Sequence, residues 1–383
     1  MSNAVPGRKP YRFGFVLNTT LGNLTRYENL RKYAERDPEI EFTWAPASHH
    51  TPDELRSSLR FLPAPLFMRA RMLQQAWPVL AELDKMDAVM VHLFEADVLC
   101  ALRSYLRRQP ALISSTDEAP ITDRTNYPLY PAELNKSRWR QSLRLSLDRW
   151  RVRRSQAFIP FSSFVAGILV RDCAVPERQV HPIHVGMDLE LWRSDPRPVT
   201  NDADAARRFR ILFVGGDFVR KGGAMLLEVF KSRFQHNAEL HLVTKQAPRE
   251  LPPHVVVHDD FLPNDPRLTA LYAASDVLVV PTTADLGPLW VFLEAMAMRL
   301  PVIGTRVGAS TEVIRHGDNG FVIDTHDAAS LGDAIQTLMD DAPLRRQMGE
   351  NGRRLIERDF NASVNVPKIL GVMKNAVNVA AAR

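Results

Sequence analysis

The stretch from Ser275 to Asp324 constrains the fold more than any other part of the chain. It reads SDVLVVPTTADLGPLWVFLEAMAMRLPVIGTRVGASTEVIRHGDNGFVID. Asp276 to Val280 is a largely apolar run of strand length, and Pro281 ends it. Thr282 to Pro288 is a loop that carries an acid and a glycine. From Leu289 to Met298 the apolar period becomes helical, with Leu289, Phe292, Leu293 and Met296 on one face. Leu300 to Gly304 predicts a second buried strand, and Val307 to Ile314 a loop and short helix. Gly317-Asp318-Asn319-Gly320 is a tight turn into a last strand, Phe321 to Asp324. Strand, loop, helix and strand in this order make a βαβ unit of a parallel sheet, which places the chain among α/β folds.

Such a unit can hold an anion. A helix that starts near Leu289 or Trp290 points free backbone N–H groups at the preceding loop, where Gly287 lets the backbone approach a ligand closely. Glu294 lies about one turn into that helix, and two readings of it are open. Its carboxylate can accept two hydrogen bonds from a vicinal diol, or it can simply favour the helix N-terminus electrostatically.

A second βα junction precedes this one. Phe209 to Val214 predicts a strand, followed by Gly215-Gly216-Asp217-Phe218-Val219-Arg220-Lys221-Gly222-Gly223 and a helix from Ala224. It is no nucleotide P-loop, because no Ser or Thr follows the lysine and the glycine spacing differs. Arg220 and Lys221 beside a helix N-terminus make a diphosphate clamp, or else solvated charges on a tight turn. Leu240 to Thr244 and Val255 to His258 are further strands, the latter followed by Phe261-Leu262-Pro263-Asn264. Ala328 to Phe360 reads as helical. Asn365 to Ala381 reads as a final helix with Pro367 in its first turn.

The first half repeats the α/β rhythm. Tyr11 to Leu17 is a strand, and Gly22 and Asn23 open a helix after it. A glycine loop so placed faces the ligand crevice of a doubly wound fold or is only a turn. Glu39 to Trp44 is the second strand. Thr51 to Lys85 is helical and basic, divided by Pro63 and Pro65. Ala88 to Leu93 is a strand with His92 at its carboxyl end, where it can polarise an acceptor, touch a donor sugar, or sit buried and hydrogen-bonded. After the strand Ala111 to Ser115, Asp117 and Asp123 can bind acceptor hydroxyls or cap turns. Ala157 to Phe161 and Val180 to Val185 are strands around the helix Ser162 to Arg171. Residues 194–208, rich in Pro, Asp and Ala, read as a linker.

A length of 383 residues suits about two domains, and an apolar fraction of 45% fills their cores. Cys100 and Cys173 have no metal-ligand spacing and make no disulfide framework, which fits a reducing cytoplasm. The polar N-terminus has no apolar signal core, and no apolar run approaches the roughly 18 residues that span a bilayer. The net charge of +5 suits a phosphate-bearing ligand, nucleic acid or an anionic membrane. Leu134 to Arg154 carries a helical stripe of Trp139, Leu143, Leu147 and Trp150. Lys136, Arg138, Arg140, Arg144, Arg149, Arg151, Arg153 and Arg154 border it. This is either an amphipathic helix with a solvated basic face or a face for anionic lipid at the inner side of a membrane. No aromatic platform interleaves with the basic runs, which argues against nucleic acid.

The block PTTADLGPLWVFLEAMAMRLPVIGTRVGASTEVIRHGDNGFVI resembles the donor half of the retaining glycosyltransferases of family 4, among the glycosyl transferases group 1. The run FVGGDFVRKGG resembles their donor-phosphate loop, and Gly186-Met187-Asp188 their step before the interdomain linker. The resemblance is closest from Phe209 to Asp324 and covers nearly the whole chain. It implies the GT-B fold: two Rossmann-like, doubly wound domains facing across a cleft whose closure excludes water. These would be residues 1–193 and 209–364, with the last helix, 365–383, laid back on the first. It implies a nucleotide-diphosphate-sugar donor; the sequence shows no metal-binding acid pair, so no metal and no cofactor are expected. Lys221 would contact the leaving diphosphate, and Arg220 would replace an arginine whose usual place Gly216 holds. The family's first glutamate falls at Leu286 here; Asp285, one residue earlier, is the candidate to replace it. The resemblance puts Gly22, Gly215, Leu262, Gly287, Leu289, Trp290 and Glu294 on the donor. His92 and Asp285 join Lys221 in catalysis, and Asn23, Asp117 and Asp123 lie toward an acceptor of unknown kind. The expected activity is sugar transfer with retention. A catalytically weak sugar-nucleotide-binding protein and an epimerase of the same fold stand as alternatives.

Overall fold

The β-branched and aromatic runs pair into two parallel sheets, one in each half of the chain. The computed structural model describes residues 9–20, 22–48, 64–92, 94–103, 110–117, 139, 146, 149–193, 207–262, 265–285 and 289–381. Two compact units separate. One holds Met187–Asn361; the other holds the described residues up to Gly186 and those from Ala362 onward.

In the first unit β1 (Tyr11–Asn18) leads to α1 (Gly22–Ala34) and β2 (Ile40–Ala47). Then come α2 (Ala64–Leu80), β3 (Ala88–His92), α3 (Phe94–Arg103), β4 (Ala111–Thr116), β5 (Ala157–Pro160) and α4 (Ser163–Arg171). The sheet order is β2-β1-β3-β4-β5, so the winding reverses between β1 and β3. Its strands are apolar on both faces, as a covered parallel sheet requires. Phe13, Phe15 and Met90 bury themselves with Leu30 and Tyr33 of α1. Val16, Val89 and Val91 point the other way, onto Met72, Ala76 and Val79 of α2. Pro65 sits in the first turn of α2, where its missing N–H is no loss, and residues 51–63, the first part of the expected basic helical region, lie outside the described residues.

The second unit runs β6 (Phe209–Val214), α5 (Gly223–Val229), β7 (Ala238–Val243), β8 (Val255–His258), α6 (Pro266–Ala274) and β9 (Val277–Val280). It continues through α7 (Trp290–Ala297), β10 (Val302–Thr305), α8 (Ser310–Val313), β11 (Gly320–Ile323), α9 (Ala328–Asp340) and α10 (Ala342–Asp359). The order β11-β10-β9-β6-β7-β8 is the doubly wound arrangement, with its reversal between β6 and β9. The chain then returns to the first unit as α11 (Ala362–Ala381). Val366, Ile369, Leu370 and Met373 of α11 complete the core over β1, β3 and β4.

Three expectations need correction. Val180 to Val185 is no strand: Val180 makes one bridge to Phe158, and His181 and Ile183 donate to the carbonyls of Phe158 and Pro160 at 2.8 and 3.1 Å. Pro182 lies between them without an N–H, so the segment stays an irregular edge. The helix read from Ala328 to Phe360 is two helices, because Asp341 breaks it and caps the second by accepting from the Leu344 N–H at 2.8 Å. The last helix starts at Ala362, which moves Pro367 from the first turn to its interior. Most of the expected linker, residues 194–206, falls outside the described residues. Among the described residues no helix is long and apolar enough to cross a membrane.

Candidate functional site

In a doubly wound sheet the ligand crevice opens beyond the carboxyl ends of the strands, where the order reverses. In the second unit that place is shared by the loops after β6 and β9. Gly222 holds them together. Its φ is +78°, and a Cβ there would lie 2.1 Å from the carbonyl oxygen of Pro281, so only glycine allows the loops to touch. The Thr283 N–H and hydroxyl both donate to the Arg220 carbonyl, at 2.8 and 3.0 Å. Gly215 is packed less tightly: a Cβ would lie 2.9 Å from the Phe213 ring and 3.1 Å from the Lys221 side chain.

This junction gathers two cations around one acid. The Lys221 ammonium donates to both oxygens of Asp285 at 2.9 Å, and Arg220 donates to Asp285 at 3.1 Å and to the Ala284 carbonyl at 2.7 Å. Arg220 also pairs with Asp217 at 3.2 Å, and the Thr282 hydroxyl donates to Asp285 at 2.6 Å. Burial draws the Lys221 ammonium below its ordinary value, against the opposing pull of Asp285. Arg220, Lys221 and Asp285 are therefore one cluster, assembled from residues 64 and 65 positions apart. Thr282 was missed by sequence reasoning; as a threonine after a strand it carries no signal of its own.

Leu289 caps α7 in an extended conformation, Trp290 is the first helical residue, and both are half-buried. Gly287 lies outside the described residues. Glu294 is buried in the second turn of α7 and accepts a hydrogen bond from the Tyr272 hydroxyl at 2.7 Å. Burial pushes its carboxyl up to about 7, with Tyr272 pulling the other way. Glu294 is thus buried and hydrogen-bonded rather than solvated at the helix end. Tyr272, wedged edge-on against Trp192 at 5.7 Å, reads in the sequence only as a core aromatic. At the end of β8, His258 lies tilted against Phe261 at 4.9 Å and Arg267 lies 4.7 Å over the same ring, while Leu262 is 64% exposed.

The first unit holds its own polar cluster at the corresponding edge. His92, at the end of β3, lies 3.3 Å from Asp117, which follows β4, and stacks on Phe161 at 5.4 Å. Arg26 of α1 is buried over the same ring at 4.1 Å and donates to the Ser115 hydroxyl at 2.6 Å. Burial lowers the Arg26 guanidinium to about 9, with Asp117 opposing the shift. Burial raises the Asp117 carboxyl, but His92 and Arg26 outweigh it and hold the group at about 2. Nη1 of Arg26 and Nδ1 of His92 are buried without a hydrogen-bond partner among the described residues. The sequence offered His92 and Asp117 but not Arg26, whose helical position reads as surface. Gly22 and Asn23 form the first turn of α1, beside Thr20, whose carbonyl accepts from the Asn23 N–H at 3.2 Å. Asp123 lies outside the described residues.

The basic stripe of residues 134–154 is described only at Trp139, Ser146 and from Arg149 onward. Trp139 is 65% exposed, but Arg151 is buried and ion-paired with Asp97. Arg151 is therefore no part of a solvated basic face.

Residues 208–341 match the family model of glycosyl transferases group 1. Over 226 residues the chain is 28% identical to an MMP alpha-(1->4)-mannosyltransferase of Mycolicibacterium hassiacum, covering 56% of this chain and 53% of that protein. It thus spans about half the length of that curated relative, and 26% and 20% of the next two. Among solved structures it superposes on sucrose-phosphate synthase from Thermosynechococcus elongatus with a TM-score of 0.71 at 17% identity, covering 97% of this chain and all of the other. On Anabaena HepE in complex with UDP the TM-score is 0.67 at 15% identity, covering 95% of this chain and 100% of that one. These likenesses give the GT-B fold.

Proposed function

We propose that the chain, whose residues 208–341 form a glycosyl transferases group 1 domain on a GT-B fold, transfers a sugar from a nucleotide-diphosphate donor to an acceptor hydroxyl with retention at the anomeric carbon. The observation that carries this reading is the pairing of Arg220 and Lys221 at the reversal point between β6 and β9. As the glycosidic bond breaks, the leaving diphosphate gathers negative charge. Two cations beside the start of α5, held in place by the loops around them, stabilise that charge. Charge stabilisation of this kind rests on the chain's own cations, and the reading calls for no metal or cofactor. Glu294, with one oxygen on Tyr272, has the other for a donor hydroxyl. The structures of HepE with UDP and with UDP-glucose support a donor of this class on this fold. Within the first unit, Asp117 beside His92 is the candidate for acceptor hydroxyls.

Lys221→Ala tests the assignment. With a panel of nucleotide-diphosphate sugars and acceptors, the variant should lose about a hundredfold or more in transfer rate while its thermal unfolding stays cooperative. Transfer at the wild-type rate would remove the clamp from the mechanism. A second reading, a weak sugar-nucleotide binder, is favoured by one observation: Leu286 stands where the resemblance expects a glutamate, and Asp285 is tied to the cations. Tight donor binding without turnover would select it, and donor interconversion in the absence of acceptor would select the epimerase.

A further inference from the structure

The clamp is already filled. Asp285 places both carboxylate oxygens on the groups that the donor reading reserves for phosphate. One oxygen accepts from Lys221 and Arg220, the other from Lys221 and the Thr282 hydroxyl. The side chains of Lys221 and Asp285 are each only 14% exposed. Charges withdrawn this far from water must be paired, and here they are paired with each other. Thr282 is fully buried, so its hydroxyl fixes the carboxylate rather than trading it for water.

We infer that Asp285 is an internal counter-anion of the clamp, which a diphosphate displaces more readily than a monophosphate. This rests on the donor reading of Arg220 and Lys221 given above. A carboxylate carries one charge on two oxygens. A diphosphate carries more charge on more oxygens, and so meets the two cations with more than one negative charge. A monophosphate carries less charge than a diphosphate on fewer oxygens, and so gains less over the tethered carboxylate. Displacement leaves the Asp285 carboxylate in need of donors, and the hydroxyls of a sugar beside the diphosphate supply them. One residue would then both reject weaker anions and turn to the sugar once the correct anion has arrived.

The test is calorimetric titration of inorganic pyrophosphate and inorganic phosphate into the wild type, Asp285→Asn and Lys221→Ala. The Asn side chain keeps the shape but not the charge. Asp285→Asn should bind pyrophosphate about tenfold tighter or more, and phosphate tighter by a larger factor, so that the preference between them narrows. Unchanged or weaker pyrophosphate binding in a folded Asp285→Asn overturns the inference. If that variant does not fold, Thr282→Val loosens the carboxylate without removing it and must likewise tighten pyrophosphate binding; no gain there overturns the inference equally. The two readings fail differently. Pyrophosphate binding undiminished by Lys221→Ala defeats the clamp itself and the inference with it. Loss in Lys221→Ala with no gain in Asp285→Asn defeats the inference alone.

Discussion

Glu294 carries a pH signature of its own. Its ordinary value is 4.5, and burial holds it at about 7 in the folded protein. Below about 4.5 the carboxyl is protonated in both states, and the fold suffers no penalty. Between about 4.5 and 7 the unfolded chain releases the proton while the folded chain keeps it, so stability falls as pH rises; above 7 the loss is complete. At about 1.4 kcal/mol per pKa unit the full effect is on the order of 3 kcal/mol. Glu294→Gln keeps an acceptor for the Tyr272 hydroxyl and carries no charge. Denaturant titrations at pH 5 and pH 8 should therefore show the variant gaining on the wild type by up to about 3 kcal/mol at the higher pH. Parallel pH profiles for the two proteins would mean that Glu294 ionises freely in the fold. At this scale the sequence is readable where partners are local. Arg220 and Lys221 announce themselves because their glycines lie within two or three positions. The partners of Asp285 and Glu294 do not, since Lys221 and Tyr272 are 64 and 22 residues away and meet them only once the sheet has formed.

Strands and helices were largely readable, because a buried parallel strand writes an unbroken apolar run and its helix a 3.6-residue stripe. What the pattern cannot say is which charge on a stripe turns inward. Arg151 belongs to the most basic stretch of the chain, yet it pairs with Asp97 of α3, whose carboxyl also accepts from the Ser114 hydroxyl at 3.2 and 3.1 Å. Burial raises the Asp97 carboxyl, and Arg151 is the main opposing influence. Arg151→Met should therefore cost about 3–5 kcal/mol, because it strands a buried carboxylate. Replacing an exposed neighbour such as Arg153 should cost within about 0.5 kcal/mol. Urea titration of the two variants checks this, and equal losses would show that the Asp97 pair contributes no more than a surface charge. For the proposed lipid-facing stripe, Arg151 is removed from the set of charges that a membrane can attract.

At the scale of the whole molecule, the chain leaves the first unit at Gly186 and re-enters it at Ala362. The last helix thus belongs by packing to the residues furthest from it in sequence. Lys374 of α11 pairs with Asp37 and Glu39 at 2.9 and 2.7 Å, and Asn365 donates to the His184 carbonyl at 3.1 Å. A Cβ on Gly186 would lie 2.5 Å from the Ala362 Cα, so the two ends of the excursion touch. Val366, Ile369, Leu370 and Met373 are buried, and at roughly 1.5–3 kcal/mol each their contribution is on the order of the stability of a domain. Ending the chain after Asn361 should accordingly unfold the first unit and spare the second, which keeps Arg220, Lys221, Asp285 and Glu294. Calorimetry should then show one transition lost and one kept. The kept transition should still move upward with pyrophosphate, by about 2.7 kcal/mol at a hundred times its dissociation constant. Loss of both transitions, or a surviving transition that pyrophosphate does not shift, would show that the second unit needs α11 to form its clamp.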